Sequence, residues 1–78
     1  MTLKVYTKPR CIYCEEVKTH LTELKIAFID VDITADLSSK AFLVSQGHTS
    51  VPVAYRFNDG SRPKLVGGHK EIMGLSHG

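Results

Sequence analysis

The sequence predicts an α/β domain, a mixed four-stranded sheet flanked by three helices in the order β-α-β-α-β-β-α. Three observations lead there. Apolar residues alternate with period two, then recur at helical spacing, then alternate again, which marks a β-α-β unit. Asn58-Asp59-Gly60, between two short apolar runs, reads as a hairpin turn. Paired glycines then separate the last strand from a short closing helix.

The first strand covers residues 3–7, with Leu3 and Val5 on one face and Lys4 and Tyr6 on the other. Lys8-Pro9-Arg10 breaks it. A helix follows over about residues 12–25, where Val17, Leu21 and Leu24 recur at helical spacing. Glu15 and Glu16 sit in its first turn and Lys25 in its last, the distribution that the helix dipole favours. Residues 26–33 alternate again, Ile29, Val31 and Ile33 facing away from Asp30 and Asp32. A second helix is expected over about residues 35–46. Thr34 or Asp36 would cap it, Leu37, Ala41 and Val44 would be its buried stripe, and Gly47 its stop. Residues 53–57 and 64–66 form the hairpin strands, Gly67-Gly68 ends the second, and residues 69–75 make a weakly helical tail. A long helix between the first two strands requires them to be parallel with a right-handed crossover. The hairpin adds an antiparallel pair.

With 78 residues, one domain over residues 1–78 is the expectation, with no linker and no second unit. The apolar fraction of 42% is ordinary for a globular chain, and the core is correspondingly small. A net charge of +2, spread along the chain, gives no clustered basic face, so neither nucleic acid nor membrane is expected as partner. Met1 leads directly into a strand and no apolar run is long enough to span a bilayer. A cytoplasmic monomer is expected, and in that compartment a cysteine pair is more often catalytic or metal-binding than structural.

Cys11-Ile12-Tyr13-Cys14 lies where the first strand hands over to the first helix. A disulfide closing so short a loop is a poor staple, worth roughly 2 kcal/mol in chain entropy. A structural zinc site wants a second ligand pair. His20, His48, His69 and His77 offer none at matching spacing, so no metal site is expected. Thiol–disulfide exchange, by contrast, needs what is present. The attacking group is a thiolate, and Cys11 at a helix start meets unsatisfied N–H groups and the positive dipole end, with Lys8 and Arg10 adjacent. Cys14, one turn further, can swing onto a mixed disulfide. After strand one and opening helix one, this spacing points to redox catalysis.

Over nearly its whole length the chain resembles the glutaredoxins of the thioredoxin superfamily. Four blocks carry the resemblance. They are Val5-Tyr6-Thr7-Lys8-Pro9 leading into the cysteine pair, Thr49-Ser50-Val51-Pro52-Val53, Lys64-Leu65-Val66 with Gly67-Gly68, and Glu71-Ile72. The resemblance implies a thioredoxin-like fold and a cis bond before Pro52. It also implies glutathione as reductant, with Cys11 attacking protein disulfides or glutathione mixed disulfides and Cys14 resolving. Carried over by position, Lys8 would hold the glycyl carboxylate, Tyr13 would form an aromatic wall, and the Val51 backbone would pair with the substrate cysteine beside Pro52. Gly68, His69 and Lys70 would lie near the γ-glutamyl end. Clients would be disulfide-bearing proteins, with ribonucleotide reductase a family-level candidate, and no metal would be required.

Two positions depart from the family pattern. Ile12 stands where the family usually has proline, which restores a backbone N–H and loosens the turn. Lys70 stands where an aspartate or another small polar residue is usual, and would repel the γ-glutamyl ammonium. Two other roles fit the same motifs, a glutaredoxin-like redoxin reduced by thioredoxin reductase and a carrier of a glutathione-bridged iron–sulfur cluster. Tyr13 and Gly67-Gly68 favour glutathione over the former.

Overall fold

The computed structural model describes residues 2–58, 60 and 62–76. They form β1 (Thr2–Thr7), α1 (Ile12–Glu23), β2 (Ile29–Asp32), α2 (Leu37–Ser45), β3 (Val53–Phe57), β4 (Lys64–Gly67) and α3 (His69–Met73), the order expected. The sheet runs β2-β1-β3-β4. β1 pairs parallel with β2 and antiparallel with β3, and β3 pairs antiparallel with β4. This is the thioredoxin-like arrangement. The turn read over Asn58-Asp59-Gly60 includes Asp59, which lies outside the described residues.

Two cores cover the two faces of the sheet. Leu3, Val5 and Ala54 pack with Val17 and Leu21 of α1 and Ile72 of α3. Tyr6, Val53 and Tyr55 pack with Leu43 and Phe42 of α2 on the opposite face. Tyr6 was expected on a polar face, yet it is 3% exposed. A central strand covered by helices on both sides buries both parities, so alternation says nothing about its solvent side.

The second helix differs most from its expected form. Its buried contact is made by Phe42 and Leu43, while Leu37 and Val44 are 71% and 64% exposed and Ala41 is also exposed. The aromatic partners decide the phase. Phe42 lies 5.1 Å from the Tyr55 ring and 5.9 Å from the Tyr6 ring, contacts that outweigh the burial of a leucine in the first turn. Asp36 is the cap, its carboxylate accepting from the Ser39 N–H and from the Ser38 and Ser39 hydroxyls, which holds its pKa below the ordinary carboxylate value. Thr34 instead donates to Asp32 in the preceding turn. Val31 of the edge strand β2 and Ile33 just after it reach the aromatic core, but Ile29 does not.

Each long helix ends in the same hydrogen-bonded motif. After α2, Gly47 adopts φ +86°, its N–H donates to the Val44 carbonyl, and the His48 N–H donates to the Leu43 carbonyl. After α1, Lys25 takes the same left-handed conformation at φ +58°, with Lys25 N–H to Thr22 and Ile26 N–H to Leu21. Gly67 belongs to β4, at an irregularity where Ala54 faces Gly67 and Tyr55 faces Leu65. At φ +137°, a Cβ there would overlap the Glu71 side chain, which folds back to accept the Gly68 N–H at 2.8 Å.

Candidate active site

The first strand delivers the chain to the site, and Arg10 at φ +61° turns it into α1. Cys11 is the N-cap of that helix. Its Sγ accepts the Cys14 N–H at 3.2 Å, and its carbonyl accepts the Glu15 N–H at 3.1 Å. Cys11 and Cys14 are joined as a disulfide, with Cα atoms 5.2 Å apart. Cys11 is half-buried and Cys14 fully buried. A sulfur that already receives a helix N-terminal N–H sits where negative charge is stabilised. Ile12 and Tyr13, 77% and 57% exposed, flank the pair with open apolar surface.

Beside the pair, two hollows share segment 47–51 as a common wall. One, of about 570 Å³, also has Lys8, Ile33, Lys40, Leu43 and Val44 in its lining. The other, of about 350 Å³, adds Tyr13, Pro52, Gly68 and His69. No carboxylate side chain lines either hollow among the described residues, so Lys8 and Lys40 give the cleft a net positive character. The Val51–Pro52 peptide is cis, as the resemblance implied.

Of the residues singled out in the sequence, Lys8 and Val51 line the first hollow and Tyr13, Val51, Pro52, Gly68 and His69 the second, while Cys11 and Cys14 line neither. Lys70 is exposed outside both linings. His69 stacks against Tyr13 at 4.4 Å between centroids, and its Nε2 lies 3.1 Å from Glu16 Oε1, tying α3 to the first turns of α1. Lys40 and His48 were not singled out for these hollows. In the sequence Gly47 reads only as a helix stop, His48 only as a metal ligand without a matching partner, and Thr49-Ser50 only as part of the block that carries the resemblance. Below the site, the buried Thr7 hydroxyl donates to Asp30 at 2.6 Å, and Lys18 bridges Asp30 and Glu15.

Comparison with known proteins agrees with this geometry. The glutaredoxin family profile matches residues 3–59. Proteins named as glutaredoxins in two strains of Mycobacterium tuberculosis are 39% identical over 61 residues, covering 76% of this chain and 71% of theirs. Among solved structures, the glutaredoxin-like NrdH-redoxin of Escherichia coli superposes with TM-score 0.76 at 20% identity, covering 94% of this chain and 90% of that one, a likeness of fold. A buckwheat glutaredoxin–glutathione complex superposes with TM-score 0.69 at 28% identity, covering 91% of this chain and 64% of that one. With a disulfide-forming Cys-x-x-Cys pair at the head of its first helix, the chain belongs to the glutaredoxin family and is a thiol–disulfide oxidoreductase.

Proposed function

We propose that this protein is a glutathione-dependent oxidoreductase that reduces protein disulfides and glutathione mixed disulfides. The asymmetry of the cysteine pair carries the reading: Cys11 is the accessible cap of α1 and Cys14 is fully buried behind it. The Cys11 thiolate attacks a substrate sulfur, forming a mixed disulfide and expelling the other substrate sulfur as a thiolate. For a protein client, Cys14 loses its proton and attacks Cys11 Sγ, releasing the client thiol and closing the Cys11–Cys14 disulfide. Two glutathione thiols then restore the dithiol and leave as glutathione disulfide.

In this reading Lys8 receives the glycyl carboxylate, Tyr13 walls the peptide, and the Val51 backbone pairs with it beside Pro52. Gly68, His69 and Lys70 serve the γ-glutamyl end. The positively charged cleft supports an anionic thiol peptide as partner, and the likeness to a glutaredoxin known in complex with glutathione supports its identity. Residues 1–78 act as one domain and as a monomer in the cytoplasm, on disulfide-bearing clients of which ribonucleotide reductase is a candidate.

An NADPH-coupled assay tests the reading. Glutathione with glutathione reductase is expected to sustain turnover of a mixed-disulfide substrate. Turnover sustained by thioredoxin reductase alone would overturn it in favour of a redoxin role.

A further inference from the structure

His48 stands in the wall shared by both hollows, and nothing in the exchange chemistry above uses it. Its Nε2 lies 2.7 Å from the Tyr55 hydroxyl, the two rings near perpendicular at 81°. Tyr55 is 4% exposed and packs among Tyr6, Phe42 and Phe57, so the imidazole is anchored to the aromatic core. The other ring nitrogen, Nδ1, makes no hydrogen bond among the described residues, and no buried side-chain nitrogen or oxygen among them lacks a partner. Nδ1 therefore reaches solvent, and the ring lines the cleft.

Burial keeps the Tyr55 hydroxyl protonated above its ordinary range, so it can donate to a neutral imidazole. Donation to Nε2 leaves the proton on Nδ1, where it is free to donate outward. The other charged or titratable groups on this side are Lys8 before α1, Lys40 on α2, and Tyr6 behind Tyr55, on which Asp36 acts. His69 lies in the second hollow.

We propose that His48 is a binding residue, held by Tyr55 so that its imidazole receives the carboxylate at the Lys8 end of a thiol-peptide substrate. The inference rests on the glutathione reading for the identity of that peptide. Lysine offers a mobile point charge, whereas an imidazole N–H fixed by Tyr55 offers a directed hydrogen bond, so the orientation of the carboxylate comes from the histidine.

The test is single-turnover exchange between the reduced protein and two mixed disulfides of one reporter peptide. One carries glutathione, the other its glycyl monoethyl ester, which removes that carboxylate alone. Thiolate titration cancels in the ratio of their rate constants. The acid-over-ester preference is expected to fall roughly threefold to tenfold in His48→Ala, the range of a partly exposed polar contact to a carboxylate, and to be kept in His48→Lys, whose ammonium can take the same carboxylate. A preference unchanged in His48→Ala overturns the assignment. So does one that is unchanged there and lost in His69→Ala. The readout is independent of the regenerating enzyme. Failure with glutathione reductase would therefore overturn the preceding reading while this ratio still decides the role of His48.

Discussion

At the scale of single residues, the two cysteines have the same chemistry and different surroundings. Cys11 caps a helix and is accessible, whereas Cys14 is fully enclosed and donates its own N–H to the Cys11 sulfur. A glutathione mixed disulfide can be cleared by a second glutathione, but a tethered protein client needs an internal thiol, whose attack profits from high effective concentration. Cys11→Ser is expected to abolish both activities. Cys14→Ser should retain much of the activity on a glutathionylated peptide while accumulating covalent client complexes, visible on non-reducing gels. Equal loss in both variants on the glutathionylated peptide would refute this division of labour. The pair was legible in the sequence because spacing and helix position are local properties. His48 was not, because its role depends on Tyr55, seven residues away in a different element, and on two lysines from two others.

At the scale of elements, the order of strands and helices along the chain could be read from periodicity, and the β1–β3 pairing and helix phase could not. The stripe of Leu37, Ala41 and Val44 is a regular helical pattern, yet the face used is that of Phe42 and Leu43, because the buried tyrosines of β1 and β3 await it. The end of α2 was legible in Gly47, but the end of α1 was not, for Lys25, expected in its last turn, lies beyond Glu23 and the cap Leu24. Gly47 suits its left-handed position, whereas Lys25 occupies the equivalent position after α1 as a residue with a Cβ. That conformation costs an ordinary L-residue roughly 1–2 kcal/mol, part of which glycine forfeits through its greater unfolded-state freedom. Lys25→Gly is therefore expected to stabilise the protein by about 0.5–1 kcal/mol in urea denaturation. Gly47→Ala, where no neighbouring atom lies within 4 Å to obstruct the methyl group, should destabilise it by about 1 kcal/mol through backbone strain alone. A larger loss there would mean that segment 47–51 depends on Gly47 for more than its φ.

At the scale of the whole molecule, the sheet separates an aliphatic core under α1 and α3 from an aromatic core under α2 and the cleft. The aromatic side carries two buried phenols, Tyr6 and Tyr55, and burial raises the pKa of each above the ordinary value of 10.0. For Tyr6 the neighbouring Tyr55 and Asp36 add to the effect. A raised folded-state pKa leaves stability intact below the unfolded value and removes it as pH climbs through the folded one. Lys18 has a raised pKa of its own, chiefly through its hydrogen bond to Glu15, and contributes in the same direction. A chain of this size has a total stability of only roughly 4–12 kcal/mol, so such losses are visible. The urea midpoint is therefore expected to stay level through neutral pH and to fall once pH passes about 10, where unfolded tyrosines ionise. Tyrosinate absorbance in the folded protein should lag behind that of the denatured chain over the same interval. Tyr55→Phe removes one of the two phenols without opening a cavity, so its midpoint should fall less steeply with pH. An alkaline slope unchanged in Tyr55→Phe would show that Tyr6 and Lys18 account for the loss, and that the hydroxyl holding His48 ionises without cost to the fold.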